Sequence, residues 1–154
     1  MILSWLASFM AIMLIAYFHQ SFLNDTDLTM MIGSFGASAV LLYAASDSPL
    51  GKPKNLIFGH ILSAFVGVIT FKLFSFDMIL CSAFAVATSI LVMQLSDTLH
   101  PPGGATALIA VIGSEQIHTM GFYYIFFPVL SGALILYIVA FSLEKLIARI
   151  DYAK

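Results

Sequence analysis

The sequence predicts an all-α integral membrane protein, a helical bundle of two inverted three-segment repeats containing two short or broken half-helices. Three observations predict it: a composition too apolar for a wetted surface, apolar segments of unequal length, and an internal match at fixed offset. The 154 residues are 61% hydrophobic and 9% charged, whereas soluble domains carry about 25% charged residues. With a mean hydropathy of +1.03, these few charges cannot cover a globule in water. The solvent for most of the surface is therefore lipid. A net charge of −2 with six basic residues offers no patch for a phosphate backbone, which excludes nucleic-acid binding. Cys81 is the single cysteine, so no internal disulfide or Cys-based zinc site is expected, and no other cofactor or metal motif is present. The start at Met1-Ile2-Leu3 has no basic n-region and no Arg/Ser-rich presequence, so the first segment is expected to be retained.

Polar clusters divide the chain into apolar segments near Ile2 to Phe18, Leu28 to Ala45, Asn55 to Phe71, Met78 to Leu95, Gly104 to Gly113 and Phe122 to Leu143. Helices rise about 1.5 Å per residue, and a hydrocarbon core is about 30 Å thick. The first, third, fourth and sixth segments can cross. The fifth reaches only about 15 Å and is half a helix. The second is interrupted by Gly33 and Gly36, leaving Gly36 to Ala45 as its unbroken part.

At an offset of 68 residues the two halves align, with eight identities between residues 36 and 64 and no gap. Gly36-Ala37-Ser38-Ala39 falls on Gly104-Ala105-Thr106-Ala107, Ser46-Asp47 on Ser114-Glu115, and Leu62-Ser63-Ala64 on Leu130-Ser131-Gly132. The chain thus reads as one transmembrane domain, 1–154, with repeat one at about 1–72 and repeat two at about 78–145. If each repeat crosses three times, Lys52, Lys54, Lys145, Arg149 and Lys154 share one side and only Lys72 lies opposite. If the short helices dip back out, the split is four against two. The positive-inside rule favours three crossings, cytoplasmic termini and an acidic outer loop at Asn24-Asp25-Thr26-Asp27.

The stretch from Asp97 to Thr106 carries the most chemistry. Pro101 drives His100 toward extended geometry, the paired prolines donate no backbone hydrogen bond, and Gly103 and Gly104 allow close approach to the main chain. Irregular backbone at membrane depth persists only inside protein or beside a wet cavity. In the inverted arrangement both short helices start near the midplane, at Gly36 and Gly104, with their N-termini converging. Two facing positive dipole ends make an anion site without a buried Lys or Arg. Ser34, Ser38 and Thr106 add hydroxyl donors, and His100 adds an imidazole. The competing reading has Pro-Pro-Gly-Gly merely ending one span and starting the next.

His60, inside the third segment, is a candidate for the same site by virtue of being ionisable there. The Gly59, Ser63, Gly67 stripe equally suits it to bonding across packed helices. Asp97 is read as a solvated loop acid or as an orienting group for His100. Asp47 and Glu115 are read as solvated mouth residues. Pro128 is expected to kink the last helix, Lys72 to snorkel to the outer interface, and Trp5, Tyr17, Tyr123 and Tyr124 to lie in interfacial belts.

Gly33-Ser34-Phe35-Gly36-Ala37-Ser38-Ala39, Ser48-Pro49-Leu50-Gly51-Lys52-Pro53-Lys54-Asn55 with Gly59-His60, and His100-Pro101-Pro102-Gly103-Gly104-Ala105-Thr106 together resemble the HPP family of integral membrane proteins over nearly the whole chain. The resemblance implies nitrite transport, associated with cyanobacterial and chloroplast members, while many bacterial members have no assigned substrate. It also implies four membrane helices, where the segments here number six. Gly103 stands where many members have Ala. Without a plastid transit region or an appended regulatory domain, the chain looks like a multi-pass protein of a bacterial inner membrane.

The expected function is a passive or proton-coupled transporter or channel for a small monovalent anion, nitrite by resemblance. Ser34, Gly36, Ser38, His60, His100, Gly103, Gly104 and Thr106 are the candidate binding residues. The alternative is a structural or assembly subunit. No catalytic carboxylate pair, His-Glu-x-x-His or Gly-x-Ser-x-Gly motif marks an enzyme. Small-residue stripes on the third and fourth segments suggest a homo-oligomer.

Overall fold

A computed structural model describes residues 1–23 and 33–152. The acidic loop at 24–27, the first residues of the second apolar segment and Lys154 lie outside the described residues. Among the described residues seven α-helices follow in order: α1 Ile2–Leu23, α2 Ser34–Ala39, α3 Pro53–Phe74, α4 Met78–Leu95, α5 Pro101–Ile112, α6 Glu115–Met120 and α7 Ser131–Tyr152. Helix α2 continues as a π-helical turn over Val40–Ala44, and a second π turn over Ile125–Leu130 leads into α7.

Among the described residues four stretches are long and apolar enough to cross a membrane: Ile2–Ser21, Pro53–Phe74, Met78–Leu95 and Ile125–Leu146. Ser34–Ala44 and Pro101–Ile112 are apolar but shorter. The protein is therefore a multi-pass integral membrane protein with long, short, long, long, short and long segments in sequence. The four spans agree with the family's usual count, and the two half-length helices account for the six segments. The halves are not identical in detail. The irregular π turn ends the short helix in the first half but opens the last long helix in the second.

Both short helices start earlier than expected. Helix α5 begins at Pro101, not at Gly104, because proline lacks only an N–H that a first-turn residue cannot use, and its φ already suits a helix. Helix α2 begins at Ser34, not at Gly36. His100 is extended as expected, with φ −137° and ψ 101°. Pro128 does break the last segment, where Phe127 has φ −141° and ψ 120°.

Helix α3 is the centre of the bundle, packing on α4 and α5, while α1 lies against α7. The stripe of small residues on α3 permits this. A Cβ on Gly67 would lie 2.5 Å from Ala107 O, and one on Gly59 would lie 2.6 Å from the His100 Cβ, so α5 and its leading strand rest directly on the α3 backbone. Asp77 accepts from the Ile79 and Leu80 amides and starts α4. At the other end Asp97 takes φ 53° and Thr98 N–H returns to Met93 O, the left-handed stop that turns the chain toward His100.

Trp5, Tyr17 and Tyr123 are exposed, as belt residues should be. Tyr124 is not. It is fully buried, and its hydroxyl donates to Thr106 O at 3.1 Å. Next to a segment boundary its ring resembles a belt residue, but it packs inward toward α5. The Lys72 ammonium lies 5.8 Å from the centre of the Phe122 ring.

Candidate functional site

Five of the candidate residues meet in one buried polar cluster. Ser34, Ser38, His60, His100 and Thr106 all have no exposed surface. Helix α2 supplies Ser34 and Ser38 one turn apart, α3 supplies His60, and the strand entering α5 supplies His100, with Thr106 on the second turn of α5. Ser38 Oγ lies 2.8 Å from His60 Nε2 and 2.9 Å from His100 Nε2. His60 Nδ1 is 2.7 Å from Thr106 Oγ1, and Thr106 Oγ1 donates to Ser34 Oγ at 2.8 Å. The two imidazoles are edge to face, 4.9 Å between centres, and the Phe35 ring closes the other side of His60 at 5.5 Å.

Two backbone features position His100. Its Nδ1 donates to Leu50 O at 2.8 Å, reaching back to the Pro49–Gly51 turn. Asn55 donates to both Pro49 O and Leu99 O at 3.1 Å, tying that turn to the strand before His100. Neither Leu50 nor Asn55 stands out in the sequence as a site residue. A backbone acceptor leaves no side-chain signal, and Asn55 reads as part of the α3 stripe. Asp97 does not orient His100. It is exposed and pairs with Lys54 at 3.1 Å, so the loop-acid reading describes it.

The glycines divide. Gly103 does face the cluster's surroundings: a Cβ there would lie 2.7 Å from Ser63 Oγ and 2.9 Å from the Met93 sulfur. Ser63 Oγ is buried with no hydrogen-bond partner among the described residues. Gly36 and Gly104 do not line it. Gly36 is exposed with nothing within 4 Å of a Cβ, and Gly104 meets only Val86 of α4, at 3.9 Å. With the helix starts upstream of them, Gly36 falls on an exposed face and Gly104 on the α4 side of α5. The free amides expected at the α5 start are absent as well. Pro101 and Pro102 have no N–H, and Gly103 N–H is bonded to His100 O at 2.8 Å. The polar groups available to a ligand are therefore hydroxyls and imidazoles.

A third histidine is buried outside the cluster. His19, near the end of α1, is 2% exposed, and its Nε2 is 3.1 Å from Ser131 Oγ. Its ring lies 6.4 Å from Phe35, so Phe35 separates it from His60. Among the described residues no group of His, Cys, Asp and Glu side chains is arranged to hold a metal ion.

The sequence profile described as HPP, transmembrane region, matches residues 1–153. The chain belongs to the HPP transmembrane family. It is similar to two transmembrane proteins of Dictyostelium discoideum. One is 46% identical over 154 residues, covering 97% of this chain and 53% of that protein. The other is 41% identical over 152 residues, covering 97% of this chain and 49% of that protein. The chain thus spans about half the length of the curated relatives it matches. No solved structure matches it.

Proposed function

We propose that this HPP-family chain is a transporter or channel for a small monovalent anion, with nitrite the first substrate to test on the family resemblance. One observation carries the reading: the 2.8 Å bond between Thr106 and Ser34 joins two helices too short to span, inside a fully buried cluster that also contains two imidazoles. Polar groups at membrane depth are expensive and are kept where they handle polar cargo. A single negative charge suits the place better than two, since the donors are hydroxyls and rings.

In this reading the two halves are inverted repeats, the site lies near the midplane, and the chain works as a homo-oligomer in a bacterial inner membrane, moving its substrate without chemical change. Single cysteines at Glu115 and Lys54, in a Cys81→Ser background, are expected to be labelled from opposite faces of sealed vesicles. Labelling of both from one face overturns the inverted arrangement.

The deciding experiment is uptake by purified chain in proteoliposomes, offered nitrite, nitrate, chloride and formate in turn. Saturable nitrite uptake above protein-free vesicles is expected. A second reading, a structural or assembly subunit, is favoured by how tightly the cluster closes on itself, with Ser38 bonded to both rings. It predicts no uptake of any of the four anions.

A further inference from the structure

The cluster holds one proton fewer than its geometry uses. Leu50 O can only accept, so the bond to it at 2.8 Å puts a proton on Nδ1 of His100. A neutral His100 then presents a lone pair at Nε2. Thr106 gives its only proton to Ser34 Oγ at 2.8 Å, with Pro102 O a longer acceptor at 3.4 Å. His60 Nδ1, 2.7 Å from the same Thr106 oxygen, must therefore carry a proton too, and a neutral His60 also presents a lone pair at Nε2. Both lone pairs face Ser38 Oγ, at 2.8 and 2.9 Å. A hydroxyl has one proton to give, and Ser34 O at 3.1 Å competes for it. With both rings neutral, one of these short contacts sets a lone pair against a lone pair.

We propose that His60, Ser38 and His100 bind one exchangeable proton as a unit, at Nε2 of either ring, and that this proton is the obligatory companion of the transported anion. On uptake an O–H bond of hydronium or of the neutral acid breaks, leaving water or the anion, and its proton forms a single N–H bond. The imidazolium donates to Ser38, and the Ser38 hydroxyl donates on to the other ring. A neutral cluster carries no charge to balance a buried anion, and the added proton supplies one positive charge, so the anion enters with a proton. On release the N–H bond breaks, the proton passes to water or leaves with the anion as the neutral acid, and both rings return to neutrality. The proton count comes from the bonding pattern alone. The pairing with an anion rests on the transport reading above.

Few other titratable groups face the pair. On the segment leading to α7, Tyr124 is committed to Thr106 O. On α1, His19 lies beyond the Phe35 ring. Tyr43, on the turn that continues α2, donates to Leu136 O. The Lys54–Asp97 pair is exposed where α3 starts and α4 ends.

The test uses the full chain in vesicles loaded with a pH-sensitive dye under a nitrite gradient, paired with 15N-histidine NMR of the same preparation titrated without nitrite. One proton is expected to cross per nitrite, with a rate indifferent to an imposed membrane potential. In the NMR titration His60 and His100 should take up one proton between them, with His60→Gln and His100→Gln assigning the signals. Ser38→Ala should make the rings titrate separately and lower proton-coupled uptake at least tenfold, while Ser38→Thr, which keeps the hydroxyl, should restore both. Nitrite that crosses without a proton and responds to potential, with both rings neutral throughout, overturns the proposal and leaves anion transport standing. Independent protonation of each ring in the wild type also overturns it. Single-proton uptake in the NMR titration with no anion flux keeps the proton site and removes the transport reading.

Discussion

Gly67→Val is expected to be among the most damaging single substitutions in the bundle, costing about 3 kcal/mol or more, the upper end for overpacking. The first carbon added would lie 2.5 Å from Ala107 O and 2.9 Å from the Ala107 Cα. Those are backbone atoms of a helix, so no rotamer change relieves the clash, and α5 must move off α3. Because Thr106 and His100 ride on α5 and the strand before it, the polar cluster opens at the same time. Gly36→Ala is the matching control. Nothing lies within 4 Å of its new carbon, and removing glycine from a helix interior stabilises by about 0.5–1 kcal/mol. Thermal unfolding in detergent, followed by size-exclusion chromatography, should place the two variants on opposite sides of the wild type. A Gly67→Val chain that melts with the wild type would show that α3 and α5 do not meet at this distance.

The pair also marks where the sequence is legible. Ser34, Ser38, His60, His100 and Thr106 stand out because each is a polar side chain in an apolar run, and in lipid such residues must find one another. The extended His100 follows from Pro101 by local sterics alone. Gly36 and Gly104 stand apart from that cluster for a physical reason. Glycine signals either close approach or a helix start, and here the starts are set by Ser34 and by two prolines, leaving both glycines outside the site. What sequence could not supply was direction. Tyr124 faces inward while its neighbour Tyr123 is exposed, and the His100 tautomer is set by Leu50 O, a group every residue possesses.

His60→Leu should separate function from folding. Deleting a buried hydrogen-bonding group usually costs about 1–3 kcal/mol through the partners left unpaired. Here no partner is stranded. Thr106 keeps its bond to Ser34 at 2.8 Å, Ser38 gives its proton to His100 Nε2 at 2.9 Å, and His100 keeps Leu50 O at 2.8 Å. Leucine also retains an apolar contact for the Phe35 ring, which packs on His60 at 5.5 Å. The melting free energy should therefore stay within about 1 kcal/mol of wild type. Nitrite uptake should nevertheless fall at least a hundredfold, because the shared proton has lost one of its two nitrogen sites and the anion has lost its companion. A large loss of stability with the same loss of uptake would make His60 a bond between helices first, as the Gly59, Ser63, Gly67 stripe also permits. Uptake at the wild-type rate would put the anion path elsewhere in the bundle and leave this cluster as packing.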